Sequence, residues 1–536
     1  MSEAFDFVIV GGGSAGCVLA NRLTEDRHTR VLLLEAGEEA KSPLVRMPFG
    51  FPFLLNNPRF DWRFALGPEP GLLNRSLDYP RGKVVGGSSS INAMLYVRGL
   101  ASDYDGWAAE GLPDWSWSEM EPRFHKLETY SAPSPVSRGT SGPVFVQPVQ
   151  NWHSLSQRIL EAAAQTEVGR TDDYNSASPS GLGRAQVFMK RGMRCGSSAA
   201  YLEPVKKRQN LVIRTRALVS SITFTEDREA SGVRYFWNGT EQVANATREV
   251  ILSAGAIGTP HLLERSGVGD GARLEKLGIP VVCDSPWVGE NLQDHYLVYA
   301  MRGITEMKGL GHEMQGWRAG LNLARYLLLR NGYFNGTPTQ LTGHMTAKVA
   351  GQPINLQLIG SPLGFSRDPV KKTVVLLKQA AAMLGACVCQ PKSRGSTHIT
   401  TPRVEDAPQI QANFLSHPDD LAATIEGLKS CREILNHASL GDLGGTEIAP
   451  QPGGGSDGDL EKYVRSSGAS AYHPVGTCRM AARQKDGAVS GKLQFFGVGR
   501  LRVVDASIMP TITSSNTHAP VVAIAERAAD LIRKGE

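Results

Sequence analysis

Phe5–Gly16 reads FDFVIVGGGSAG, and Arg30–Glu35 reads RVLLLE. The first run is apolar with a β-branched centre. Residues 17–24 have helical character, and the second run predicts another strand that closes on a carboxylate. Strand, glycine turn, helix, strand and acid is the order a dinucleotide site requires. Gly11 permits a tight turn, Gly13 lets the backbone approach a pyrophosphate, and Gly16 lets the helix pack closely on the strand. Unpaired N–H groups at the helix start then face phosphate charge. Glu35 lies nineteen residues past Gly16, close to the offset at which an acid accepts from a ribose hydroxyl. Taken alone, Glu35 also reads as a solvated acid at a strand end. Gly12–Gly16 matches G-x-S-x-G, the nucleophile elbow of hydrolases. That elbow needs earlier strands and an upstream oxyanion loop, and only ten residues precede Gly11, so the hydrolase reading is set aside.

The chain has 536 residues, too many for one core, so two or more domains are expected. A net charge of +5 without a concentrated basic run does not point to nucleic acid. Seven scattered cysteines show neither zinc spacing nor a C-x-x-C-H haem attachment, so no metal site is predicted and a reducing compartment fits. Cys387 and Cys389 alternate in an apolar stretch and read as core thiols. The first strand starts without a leader pattern, and no apolar run is long enough for a transmembrane segment. The expected location is cytoplasmic.

Residues 43–70 are rich in proline and aromatics and read as irregular structure around a ligand. Arg81–Gly99, RGKVVGGSSSINAMLYVRG, carries small and hydroxylated residues between apolar flanks, suited to backbone packed on a large flat ligand; a flexible loop is the alternative. Helices are expected within 103–130 and over 153–165, with a surface connection over 131–150. Leu211–Phe224 and Ser231–Phe236 read as strands of a small sheet. Arg248–Ala254 reads as a third buried strand running into a second glycine turn and helix. Trp317, Leu321, Ala324 and Leu328 fall at helical spacing with Arg318, Arg325 and Arg330 nearby. This stripe reads as core-facing. Its alternative is a helix on a membrane surface, which keeps peripheral contact with the inner face of a membrane open. Residues 372–415 suit a broad antiparallel sheet, and Gly453–Gly458 reads as a loop. Near the end come YHPVGTCRM (Tyr472–Met480), RLRVVDASIMP (Arg500–Pro510), and NTHAP (Asn516–Pro520). The last opens a helix whose face is Val521, Ile524, Ala525, Ala528 and Leu531.

Four blocks in order carry a resemblance: VIVGGGSAG with Glu35; Gly82–Gly99 followed by Asp105; GAIGTPHLLERSGVG (Gly255–Gly269) with VGENLQDH; and HPVGTCRM with DASIMP and NTHAP. On these the chain resembles the glucose–methanol–choline (GMC) oxidoreductases, flavoenzymes that oxidise alcohols. The wording is nearest to bacterial alcohol dehydrogenases and choline dehydrogenase-like members, which use acceptors other than oxygen. The resemblance implies an α/β plus α+β fold: a Rossmann-like FAD-binding domain, and a substrate domain built on an antiparallel sheet with helices. The FAD domain would comprise 1–150, 206–300 and 466–536, the last with the catalytic residues. The substrate domain would comprise 151–205 and 301–465.

The implied ADP contacts are Gly11, Gly13, Ser14, Ala15, Gly16, Glu35 and Ala36. Gly82, Val85, Gly86, Ser89, Asn92, Ala93 and Met94 would line the flavin, Val219 would meet the adenine, and Asp505, Ala506 and Thr517 would close the site. Some members tether FAD through a histidine at the position of Ile91, so non-covalent FAD is predicted here. His473 and Asn516 would be the catalytic pair: His473 as general base while hydride passes to flavin N5, and Asn516 holding the substrate oxygen. His518 is a lesser candidate, and Cys478 reads as a packed thiol. Ala481 stands where the family often has glycine. The expected partners are a small-molecule alcohol and an external electron acceptor (a quinone, a cytochrome or oxygen). Three other readings share the sequence: an oxidase that makes hydrogen peroxide, a lyase with redox-idle FAD, and a flavin-loaded binding protein.

Overall fold

A computed structural model describes residues 3–134, 136–176, 179–367, 374–377, 379–451 and 455–536. Its first sheet has seven strands in the order Leu211–Thr215, Val31–Glu35, Glu3–Val10, Thr240–Leu252, Ala230–Trp237, Leu218–Phe224, with Leu501–Val503 pairing the long strand Thr240–Leu252. The strands flanking Glu3–Val10 run parallel to it: Ile9 lies opposite Leu33 on one side and Ile251 on the other. Val8, Ile9, Leu32, Leu33, Val250 and Ile251 are fully buried, which is why these runs are continuously apolar rather than alternating. The strands expected over Leu211–Phe224 and Ser231–Phe236 belong to this same large sheet: the first splits into Leu211–Thr215, parallel to Val31–Glu35, and Leu218–Phe224, which forms an antiparallel hairpin with Ala230–Trp237. Thr240–Leu252 is long enough to pair with that hairpin at one end and with the parallel core at the other.

Helix Ser14–Leu23 follows the first glycine turn. A Cβ on Gly16 would lie 2.0 Å from the Gly11 carbonyl oxygen, so only glycine lets the helix approach the strand this closely. The last helix, His518–Lys534, packs on Ser14–Leu23 and buries Val521, Ile524, Ala525, Ala528 and Leu531 as expected. Burial of each large apolar side chain there contributes about 1.5–3 kcal/mol. Glu526, fully buried, accepts from Arg22 at 2.7 Å and from the Tyr201 hydroxyl at 2.8 Å, so this helix joins the two ends of the chain by charge as well as packing.

The second large sheet is antiparallel, in the order Leu341–Val349, Gln352–Ser361, Ala380–Val388, Tyr296–Ile304, Glu447–Ala449, and helix Pro418–Leu435 lies against it. Ala469–Ser470 pairs with the start of Tyr296–Ile304.

Several expectations are corrected. The segment 131–150 is not only a surface connection: Val144–Pro148 is a strand between Glu128–Tyr130 and Gln186–Lys190, with Val144 and Val146 turned inward. Among the described residues of 372–415, only Ala380–Val388 joins the broad sheet; Val374–Leu376 pairs with Phe365–Arg367, and Ser396–His398 with Gln409–Gln411, while 372, 373 and 378 lie outside the described residues. In the predicted loop, Gly453 and Gly454 lie outside the described residues, and Asp457 already belongs to helix Asp457–Ser467, capped by the Ser456 hydroxyl. The stripe Trp317–Leu328 is helical, but it does not face the core: Trp317 is 72% and Leu328 82% exposed. All seven cysteines, Cys387, Cys389 and Cys478 among them, are buried free thiols.

Candidate active site

The nucleotide end is made of backbone. Gly11 has φ +102°, and a Cβ there would lie 2.5 Å from the Ser253 carbonyl oxygen. No side chain caps Ser14–Leu23, so its first N–H groups are left for an acceptor from outside the helix. Against this turn lies a second glycine loop: the Gly86 N–H donates to the Gly12 carbonyl at 2.7 Å, and a Cβ on Gly87 would stand 2.9 Å from Gly13 Cα. Glu35 is buried and accepts from the Gly12 and Gly37 N–H groups, each at 2.8 Å. Burial pushes its carboxyl up to about 7, against the pull of those two N–H groups. Glu35 is therefore no solvated strand-end acid; it pins the two turns that flank the cleft. Gly11, Gly13, Ser14, Ala36, Gly82, Asn92, Ala93, Ala506, Asn516 and Thr517 keep partial exposure within otherwise buried segments, whereas Ala15, Gly16, Val85, Gly86, Ser89, Met94 and Val219 are buried behind them. An uncapped helix end and two mutually touching glycine loops fit a pyrophosphate, and with the small-residue segment beyond they fit FAD.

The segment 82–94 is fixed from behind. Ser89 Oγ donates to the Gly86 carbonyl at 2.6 Å, Met94 sits in the left-handed region at φ 66°, and the buried Arg194 donates to Asn92 O and Oδ1, both at 2.7 Å. Ile91 packs with Val45, Leu54, Phe60 and Val84. Asp505 Oδ2 accepts from Gly255 N at 2.8 Å and Thr259 Oγ1 at 2.6 Å, so it clamps the second glycine turn. Ala506 O accepts from Gly476 N, tying this turn to the HPVGTC loop.

The reacting end is made of side chains. Ala471 N–H donates to the His295 carbonyl, and Val475 and Gln293 exchange backbone bonds, so the segments carrying His295 and His473 run side by side. Asp294 Oδ1 accepts from both the His295 and the His473 N–H, at 2.8 and 2.7 Å, while Tyr79 and Ser470 hydroxyls donate to Oδ2. Between the rings, His295 Nδ1 and His473 Nδ1 are 2.9 Å apart. His295 Nε2 lies 2.8 Å from the Cys389 carbonyl, and Asn516 Nδ2 lies 2.9 Å from His473 Nε2. Gln357 Nε2 donates to Asn516 Oδ1 at 3.0 Å.

These contacts assign the tautomers. Burial lowers both rings, His295 to about 4 and His473 well below the usual histidine value, with His295 and Arg81 depressing His473 further. Both are neutral near pH 7, and each has one N–H. A carbonyl only accepts, so His295 carries its proton on Nε2 and accepts at Nδ1. His473 must then carry its proton on Nδ1, which leaves an Nε2 lone pair that accepts from Asn516.

The sequence reading reached His473 and Asn516, and the structure brings them together. It did not single out His295, Asp294, Gln357 or Arg194. His295 and Asp294 sit inside the quoted VGENLQDH, but no local spacing couples them to a loop almost 180 residues later (|i−j| 178 and 179). Asp105, quoted with the second block, is exposed and accepts from Trp117 N. The acid that faces this region is Asp103, which bonds the Ser514 N–H and hydroxyl, both at 2.7 Å. Helical spacing puts residues two apart on different faces. His518 is packed on the Phe188 ring with Nδ1 unpartnered, and burial lowers it to about 3. Ala481 lies outside the left-handed region and its N–H reaches Val489 O at 2.9 Å, so this turn does not need glycine.

Comparison with known proteins agrees with this geometry. Two GMC oxidoreductase family models match residues 5–297 and 391–525. The chain is 39% identical over 532 residues to an alcohol dehydrogenase [acceptor] of Pseudomonas putida, covering 98% of this chain and 95% of that one. It is 37% identical to the mitochondrial choline dehydrogenase of Mus musculus, covering 99% and 90%. Among solved structures, pyridoxine 4-oxidase from Mesorbium loti superposes with a TM-score of 0.87 at 29% identity, covering 99% of each chain. A formate oxidase of Aspergillus oryzae RIB40, solved in connection with FAD modification, gives 0.91 at 26%, covering 100% and 99%. Family models spanning most of the chain and close-length relatives agree with the glycine loops described above: the chain belongs to the GMC oxidoreductases and is an FAD flavoprotein.

Proposed function

We propose that the protein oxidises the CH–OH group of a small alcohol to an aldehyde or ketone and passes the electrons to an external acceptor. The observation that carries this reading is the assigned lone pair on His473 Nε2, held beside the Asn516 amide in a buried network. The alcohol oxygen would enter between these two groups, donating its proton to His473 Nε2 and accepting from Asn516 Nδ2. FAD supplies the two-electron acceptor for the hydride that leaves carbon. Gln357 holds the Asn516 amide in the orientation that keeps Nδ2 toward the substrate. His295 and Asp294 hold the His473 ring and backbone. Because burial, His295 and Arg81 disfavour the imidazolium, the base is free well below pH 6.5.

FAD is bound without a covalent link in this reading, since Ile91 offers no nucleophile. Acid precipitation should release all yellow colour into the supernatant, and colour retained in the pellet would contradict it. The alcohol dehydrogenase [acceptor] at 39% identity supports a non-oxygen acceptor; the oxidases among the solved relatives favour oxygen as the second reading.

The deciding experiment is anaerobic flavin bleaching against short and long primary alcohols, aromatic alcohols, polyols, glycol ethers and choline. Reoxidation is then timed with oxygen alone or with a quinone-like dye. Bleaching followed by fast reoxidation only with dye is the expected result. Fast peroxide formation without dye would make the enzyme an oxidase, and turnover without bleaching would make it a lyase.

A further inference from the structure

The helix Gly316–Leu329 is built inside out. A helix on a globular protein buries its apolar stripe and shows water its polar face. Here the fully buried residues are Asn322 and Tyr326, one turn apart, whereas Trp317, Leu327, Leu328 and Leu329 are 72%, 56%, 82% and 66% exposed. At 3.6 residues per turn, Trp317, Leu321, Ala324 and Leu328 fall within an outward arc of about 60°. Leu323 and Leu327 widen that arc on one side, and Arg318 and Arg325 border it on the other.

The inward side of the helix carries polar as well as aromatic contacts. Asn322 Nδ2 donates to the Glu313 carbonyl at 3.0 Å, and the Arg330 guanidinium lies 5.0 Å over the Tyr326 ring. The electrostatics are one-signed: the sequence has no Asp or Glu between Glu313 and Asp368, and Glu313 is already paired with Arg318 at 3.1 Å. A second copy docking through the same face would bring arginine against arginine. An uncharged apolar partner would leave the arginines without a counterion. At 14 residues the helix is too short to cross a bilayer, and no helix among the described residues is long and apolar enough to do so.

We infer that this helix docks the enzyme on an anionic phospholipid surface, lying in the plane of the interface with Trp317, Leu321 and Leu328 inserted and Arg325 at the headgroups. Phe53, 57% exposed, belongs to the turn Pro48–Phe53, whose Phe49 packs on Phe334 just past the helix.

The test uses the FAD-loaded holoenzyme and vesicles of phosphatidylcholine with or without phosphatidylglycerol. The wild type should co-sediment with the anionic vesicles, bind neutral ones weakly and release in high salt. Leu328→Glu should lower the bound fraction on anionic vesicles at least ~10-fold, with the flavin spectrum and alcohol-driven bleaching unchanged. Arg325→Gln, which leaves the apolar arc intact, should weaken binding and flatten its salt dependence. A blue shift of tryptophan emission on binding should vanish in Trp317→Phe. Failure of the wild type to bind, or equal binding by Leu328→Glu, would overturn the inference. So would a concentration-dependent dimer that Leu328→Glu dissolves, since the face would then belong to a second copy.

Discussion

The two ends of the cofactor cleft are built from different materials. In the proposed FAD site the nucleotide end is backbone: Gly11, Gly13, Gly86 and Gly87 bring main chain to main chain, and the one prominent side chain, Glu35, serves backbone N–H groups. The proposed reacting end is built of side chains from four distant segments, His295, Gln357, His473 and Asn516, each in contact with the next. A backbone site fails when an atom is added. A side-chain relay fails when an atom is removed or a proton moves. In the proposed function, the first kind would govern whether FAD is held, and the second whether held FAD is reduced.

The largest break should come from His473→Ala, which removes the proposed base and should slow anaerobic flavin reduction at least ~10²-fold while leaving the flavin spectrum in place. An unchanged rate would remove His473 from the mechanism. Gly87→Ala should do the opposite. With φ +53° and a Cβ 2.9 Å from Gly13 Cα, strain and overpacking of about 1–3 kcal/mol should weaken FAD affinity roughly 10- to 10²-fold. Fully reloaded enzyme should be reduced at a near wild-type rate, as equilibrium dialysis and stopped-flow bleaching would show. His295→Phe leaves His473 Nδ1–H without its acceptor and frees the tautomer, so reduction should slow about 10-fold. Because His295 depresses His473, its loss should also move the acidic limb of the kcat/KM profile to higher pH. A wild-type limb above pH 6.5 would contradict the buried, neutral base.

The smallest effect concerns stability. His518 falls to about 3 when folded, against roughly 6.5 unfolded. The unfolded chain then binds more protons, and this contribution, complete above pH 6.5, is lost as pH falls toward 3. Between pH 7 and 5 the loss is about 2 kcal/mol, so His518→Leu should show a correspondingly smaller drop in thermal midpoint over that range.

The same contrast decides what was legible in the sequence. Gly11–Glu35 reads directly, since strand, turn, helix and acid are consecutive and their constraint is local. His473 and Asn516 were reached only through the family's wording, because a histidine before proline has no periodicity to betray it. His295 stayed hidden: its partner is chosen by a short strand pairing, Tyr296 with Ser470, that no composition announces. Asp103 was not singled out, although it lies two residues before the quoted Asp105, on the buried rather than the exposed face of one helix. The Trp317–Leu328 stripe misled in the other direction, since periodicity reports which residues share a face and not whether that face is covered.

The way the last helix rests on the first has a consequence for synthesis. Val18 and Leu19, fully buried in the folded chain, belong to a helix that packs against His518–Lys534, translated about 500 residues later. At 5–20 residues per second, the nascent chain carries that apolar surface uncovered for roughly half a minute to two minutes. The proposed cofactor site is likewise incomplete until Leu501–Val503 joins the sheet and Asp505 clamps the second glycine turn. Loss of even a short C-terminal segment should therefore cost the ribosome-bound chain its ability to capture FAD, and the trace of such an event in cells would be colourless, aggregation-prone protein.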